Sequence, residues 1–209
     1  GKDVSIKQVT SYPFEEMITA HISAPDLTFT AEFRIPAWCK DAQIKVSGAK
    51  DVKQERLADR FKITATWGSD SKVELDLPQE LIQRTIPDGR YVFDVGPLVF
   101  SAPIAHVATD YREYKLPGYA DQDVTAINSK WIFPPAFRKA DLATAKLERT
   151  ALPQGSYPWS EQPSISISTN CWNLNPHADE GLDVDAFNKV KLVPMGTTVL
   201  RWTAFPQAR

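Results

Sequence analysis

The feature that most constrains this chain is alternation. Six stretches in its first half, SIKQVT (5–10), EMITAHIS (16–23), LTFTAEFRI (27–35), AQIKVSG (42–48), RFKITATW (60–67) and KVELDL (72–77), place apolar and polar residues in turn. Successive side chains of a β-strand point to opposite faces, so this period of two makes one face apolar and the other polar. That is the pattern of a half-buried antiparallel strand. Turn formers fill the gaps: Pro25-Asp26, Pro36, Gly68-Ser69-Asp70, Pro78 and Pro87-Asp88-Gly89. Short strands at such regular spacing predict a sandwich or barrel. The apolar members, Phe33, Ile35, Ile44, Val46, Phe61, Ile63, Val73, Leu75, Leu77, Val92 and Val99, are the expected core. PQELIQRTI (78–86) is the nearest approach to an amphipathic helix before residue 105, and it is short.

GRYVFDVGPLVFSAPI (89–104) reads as one buried strand interrupted by Gly96-Pro97. Proline removes a ladder hydrogen bond, so the pair predicts a bulge, or a strand passing between sheets. The next stretch, AHVATDYREYKLPGYADQDVTAINSK (105–130), is polar and aperiodic and reads as a long connection. AFRKADLATAKLERTAL (136–152) suits one helix or two short strands, with strand preferred because strand patterns return at 164–169, 188–195 and 197–205. The expectation is an all-β chain: an antiparallel β-sandwich over 1–104, then a connecting loop and a second, smaller β-domain over 105–209.

Charge narrows the partners. With 24 Lys and Arg against 26 Asp and Glu the net charge is −2, which gives no basic footprint for nucleic acid. No apolar run approaches the ~20 residues of a membrane-spanning helix, so no membrane is expected as a partner. A chain that starts at Gly1 rather than Met reads as a processed end, a tag scar or an excised piece. Cys39 and Cys171 stand in no CxxC pattern. Their spacing allows one disulfide, but two separate thiols are the simpler reading.

Catalytic constellations are sparse. Glu15 and Glu16 are strand neighbours on opposite faces, and Glu74 and Asp76 share a face directed to solvent, so neither pair suits glycosidic chemistry. Asp179, Glu180, Asp183 and Asp185 form a weak calcium candidate, but their spacing fits no EF-hand loop, and a solvated loop is the plainer interpretation. His21, His106 and His177 stand alone, and no metal site is expected. The six tryptophans are more suggestive, because indole rings offer stacking platforms for sugars. Trp67 and Trp202 lie on alternating stretches and belong to the core. Trp38, Trp131, Trp159 and Trp172 lie beside Pro, Asn or Ser in expected loops and are candidate carbohydrate-binding residues, although loop tryptophans commonly cap a core.

Four stretches, FRIPAWCKDAQIKVSG, WGSDSKVELDLP, VFDVGPLVFSAPI and LVPMGTTVLRWTAFP, together resemble the β-rich region behind the catalytic domain of glycoside hydrolase family 127, a family of bacterial β-L-arabinofuranosidases and relatives. The matches run in family order from Phe33 to Pro206. The resemblance implies a Gly-Pro-Leu-Val strand at the passage between two β-domains. It also places the catalytic site, a zinc-bound cysteine acting with glutamates, on a preceding (α/α)6 barrel. Cys39 and Cys171 match no catalytic motif of that family, so no catalytic residue and no cofactor is carried over. The expected role is a non-catalytic accessory region whose partner is the catalytic (α/α)6 barrel of a parent chain. A periplasmic or extracellular setting suits such a parent. The alternative is a carbohydrate-binding module that holds a plant-type glycan through loop aromatics.

Overall fold

The computed structural model describes residues 3–127, 132–152, 159, 163–174 and 184–208. Strands dominate, and no α-helix occurs among the described residues. Contacts divide the chain into two compact units, Gly1–Glu80 and Leu81–Arg209.

The first unit is a sandwich. One sheet has the order β1 (Ser5–Thr10), β2 (Met17–Ser23), β7 (Ser71–Asp76), β4 (Gln43–Ser47); the other has β3 (Leu27–Arg34), β6 (Arg60–Trp67), β5 (Lys50–Arg56). All these pairings are antiparallel. Ala20 and Ile22 from β2, Val73 and Leu75 from β7, and Phe61, Ile63, Ala65 and Trp67 from β6 join a single buried cluster, so the apolar faces of the two sheets share one core. The alternation dictates this: every second residue of β6 is buried. On its outer face Thr64 and Thr66 hydrogen-bond Thr30 and Thr28 of β3 at 2.7 and 2.9 Å. Trp67 is 1% exposed, and its indole N–H donates to the Phe29 carbonyl at 3.0 Å.

Strand β5, KDVKQER, carries no alternation and is exposed throughout. It is a charged edge strand, a composition that discourages further pairing and hides the strand from pattern reading. Of the expected core, Ile35, Phe61, Ile63, Val73, Leu75, Leu77 and Val92 are buried, while Phe33, Ile44, Val46 and Val99 are half-buried.

The second unit is built on a sheet of order β13 (Lys146–Arg149), β14 (Ile165–Leu174), β15 (Val184–Pro194), β10 (Leu98–Pro103), β9 (Tyr91–Val95), β8 (Leu81–Thr85), with β16 (Arg201–Trp202) also paired to β10. Phe93, Phe137 and Phe205 pack edge to face with centroids 5.2–5.9 Å apart, and all three are fully buried. Backbone hydrogen bonds tie the C-terminal segment into this core: Phe205 exchanges both with Tyr91, and Phe137 N–H donates to the Pro206 carbonyl.

Several local expectations change here. Gly96-Pro97 is neither a bulge nor an interdomain passage. Val95 pairs with Leu98, so the two residues form the turn of a β9–β10 hairpin. Gly96 has φ +55, which suits the first central position of a two-residue hairpin turn, where glycine leads. The apolar run was continuous because both strands are buried, not because they are one strand. The short segment 78–86, where the sequence shows no convincing helix, contains β8. The contacts divide the chain after Glu80, ahead of the boundary expected at 104, because β8–β10 pair among themselves and with β15 and β16. This makes the second unit the longer one. Finally, the long connection over 105–130 contains a two-stranded ribbon, β11 (His106–Glu113) with β12 (Ala120–Ala126), joined to no larger sheet among the described residues. Nearly every residue of β11 is exposed, so no face was selected to be apolar and no period appeared.

Candidate functional site

Of the expected sugar-binding tryptophans, Trp38, Trp159 and Trp172 lie among the described residues, each in a different setting. Trp38 lies in the turn after β3, half-buried against the first unit's core, as Tyr12 is. Trp131, His177, Asp179, Glu180 and Asp183 lie outside the described residues, and of Asp185 only the backbone, in β15, is described.

Trp172 is not in a loop but on β14. Its indole N–H donates to Asp141 Oδ2 at 2.7 Å, and the Arg138 guanidinium lies 3.9 Å from the ring centroid. The same Asp141 oxygen accepts the Arg138 backbone N–H at 2.9 Å, and Trp172 and Ala136 exchange both backbone hydrogen bonds. One face of the indole is thus covered by a cation. The neighbouring Cys171 is buried and free, and burial pushes its thiol up to about 11, with the Asp141 carboxylate adding to the rise. Trp172, Arg138 and Asp141 form a structural clasp.

Trp159 has a different setting. Its indole lies against Gly196, where a Cβ would come within 2.7 Å of Cε3, so only glycine seats the ring there. Gly196 belongs to a 3-10 turn over Met195–Thr197, held by the buried Thr197 hydroxyl donating to the Pro194 carbonyl at 2.8 Å. Beside Trp159 opens a hollow of about 640 Å³, bordered by Ile104, His106, Ile127, Thr198 and Val199. His106 Nδ1 is 2.9 Å from the Ile104 carbonyl, which can only accept; Nδ1 therefore carries the hydrogen, and Nε2 of the neutral ring is left as an acceptor. A second hollow of about 710 Å³, bordered by Val124, Met195, Arg201 and Trp202, shares Ile104 and Val199 with the first. Val199, 62% exposed, is common to both walls.

The described lining of these hollows carries two indoles, an imidazole, threonine hydroxyls and a guanidinium, but no carboxylate or thiol. It suits holding a polyhydroxy molecule better than splitting one, since glycoside cleavage needs an acid and a nucleophile or base across the bond. Two of the carboxylates weighed above have structural contacts. Glu74 is paired with Lys72 at 2.5 Å, and that contact holds its carboxyl below the usual range. Glu16 Oε1 accepts the Gln79 backbone N–H at 3.1 Å. Among the described residues no three His, Cys, Asp or Glu side chains converge, so those residues do not fit a zinc–cysteine centre. Nor is any described helix long and apolar enough to cross a membrane.

Comparison with known proteins places this geometry. Residues 1–79 match the family model described as "Beta-L-arabinofuranosidase, GH127 middle domain". The matched residues are 79 of 209 and coincide with the first unit, so the sequence likeness to that family is carried by that unit. No curated protein matches the chain. Among solved structures, a glycoside hydrolase matches 99% of the chain at 18% identity with a TM-score of 0.60. A GH127 β-L-arabinofuranosidase from Geobacillus stearothermophilus T6 matches 94% at 17% identity with a TM-score of 0.59. A GH127 β-arabinofuranosidase, BT3674, matches 99% at 17% identity with a TM-score of 0.60. At such identities the likeness is one of fold, and it extends through the second unit. This chain covers 32%, 28% and 32% of those three chains respectively.

Sequence reasoning found Trp159 and Trp172 but not what they touch. Gly196 was visible only as a strand interruption, and nothing local to Trp172 pointed to Arg138 or Asp141, more than thirty positions away.

Proposed function

We propose that this chain is a non-catalytic accessory region of a GH127-type glycoside hydrolase, whose chemistry resides on a separate (α/α)6-barrel domain of a parent chain. The observation that carries this reading is the match of residues 1–79 to the family's middle domain, with a fold likeness spanning about a third of solved GH127 enzymes. In this role the β-units act by position: they brace the catalytic domain and shape the approach to it.

The test is a comparison of two preparations. The isolated 209-residue chain, incubated with aryl arabinofuranosides, zinc and reductant, should match the no-protein blank, while the parent polypeptide turns over. Turnover by the isolated chain that survives repurification and disappears in Cys39→Ala or Glu74→Gln would overturn the reading.

A second reading, glycan binding, draws support from the Trp159 hollow, which offers an indole and the His106 acceptor in a space that fits a short oligosaccharide. Titration with arabinose-containing oligosaccharides should then change the tryptophan fluorescence of the native chain and leave that of Trp159→Phe unchanged. Silence across a broad glycan panel removes this reading and leaves the first intact.

A further inference from the structure

The β11–β12 ribbon is out of keeping with the rest of the molecule. Among the described residues it joins no larger sheet, and a two-stranded ribbon alone in water is at best marginally stable. Yet its far end concentrates large side chains in solvent: Tyr111, Tyr114, Leu116 and Tyr119 are 64%, 46%, 67% and 68% exposed. Scattered exposed apolar residues are ordinary, whereas a cluster of this kind marks an interaction surface. The ribbon is nevertheless held in shape. Tyr114 Oη donates to Asp121 Oδ2 at 2.7 Å, Gln122 Nε2 donates to Asp110 Oδ1 at 2.6 Å, and the Arg112 guanidinium lies 5.1 Å from the Tyr114 ring centroid. The register shifts between Asp110 and Arg112, so Tyr111 is the extra residue of a bulge, a feature that re-aims side chains.

Charge and area indicate what covers this tip. Between residues 106 and 126 the carboxylates Asp110, Glu113, Asp121 and Asp123 outnumber the basic Arg112 and Lys115, so the complementary surface is apolar at its centre and basic at its rim. At roughly 200 Å² for a fully buried tyrosine, the exposed parts of the four side chains amount to on the order of 400–500 Å². Free association of two proteins takes about 800 Å² on each side, so a second copy is a poor occupant. A tethered domain has no such requirement, because the tether supplies a millimolar effective concentration. The solved hydrolases of this fold are about three times as long as this chain, which leaves ample polypeptide for such a domain.

We propose that the tip of the ribbon docks into an apolar, basic-rimmed hollow on the catalytic domain of the parent chain. This rests on the accessory-region reading given above. Lys115-Leu116 is an exposed tryptic site within the tip, which makes the contact measurable. In the parent polypeptide, expressed from the complete reading frame, cleavage after Lys115 should be at least tenfold slower than in the 209-residue chain. The paired substitutions Tyr111→Ser and Tyr119→Ser, which leave the Lys115-Leu116 bond intact, should restore fast cleavage in the parent and leave the rate in the shorter chain unchanged. Hydrogen exchange across 106–126 should show the same protection and the same loss, without relying on the protease. Equal cleavage and exchange in the two native preparations would refute the docking while leaving the accessory role standing. A reading frame without a catalytic domain would remove the accessory reading and the docking with it. Protection in the shorter chain that rises with its concentration, and disappears in the tip variant, would identify a second copy as the occupant and overturn the proposal.

Discussion

Strands β6 and β11 are each eight residues long and antiparallel to their partners, yet they share little else. In β6 every second side chain is buried between two sheets; in β11 almost none is buried. β6 is hydrogen-bonded along both edges, by β3 and β5, whereas β11 is paired along one, by β12. Burial separates them further. At about 25 cal/mol per Å² of apolar surface, the core face of β6 accounts for several kcal/mol, and β11 has no comparable term within this chain. A strand in a sandwich is held by its own unit, whereas a free ribbon depends on short-range ties and on whatever covers it.

The sharpest way to break this comparison is a matched pair of truncations. Trp67→Ala removes a fully buried indole from β6 and should cost about 3–5 kcal/mol in urea unfolding followed by circular dichroism. Tyr111→Ala in β11 should stay within about 0.5 kcal/mol of the native chain. Losses of similar size at the two sites would mean that the ribbon is not the loosely held element described above.

The β9–β10 hairpin offers a middle case, a tight turn joining two buried strands. Gly96→Val forces a β-branched residue to φ +55 and should cost about 1–3 kcal/mol. Pro97→Ala should cost less than about 1 kcal/mol, since the proline mainly stiffens a turn that the glycine makes possible. Thermal melts in which both variants match the native chain would remove the hairpin assignment.

A smaller effect follows from Cys171 in the packed sheet. Its thiol is raised from an ordinary 9.0 to about 11 by burial first and Asp141 second. The unfolded chain therefore ionises before the folded one. The stabilising difference is complete below pH 9.0 and is lost as the pH rises toward about 11. The fall should be roughly 2 kcal/mol over that window, and smaller in Cys171→Ala, with the buried Cys39 supplying part of what remains. Because the slope belongs to the packed region, Leu116→Asp in the ribbon should leave it unchanged; a changed slope would couple the two regions.

How much could be read in advance depended on burial. The strands β2–β4, β6 and β7 are legible because one face of each was built to be apolar, and β14–β16 because the pattern returns; β1 was legible although it is exposed throughout. The exposed, charged β5 and the ribbon carry no period, and both escaped. For the ribbon a signal existed, Pro117-Gly118 flanked by tyrosines, which is a turn between two strands. The candidate site was half legible. An unusual number of tryptophans stands out by composition, but whether a ring is free, clasped or seated on a glycine depends on residues far away in the chain.

By itself the sequence determined the class of this protein: all-β, antiparallel, with a first unit whose apolar faces can only close against each other. It also carried the family likeness, because short motifs such as Arg34-Ile35-Pro36 and Gly96-Pro97-Leu98 are local. Tertiary structure decided the rest. It set the boundary after Glu80, since that depends on which remote strands β8–β10 meet. It turned Trp172 from a platform into a clasp and left Trp159 beside a hollow. It gathered Tyr111, Tyr114, Leu116 and Tyr119 at the end of one ribbon. The physical reason is that alternation records which side of a strand is buried, while function depends on what lies across from it.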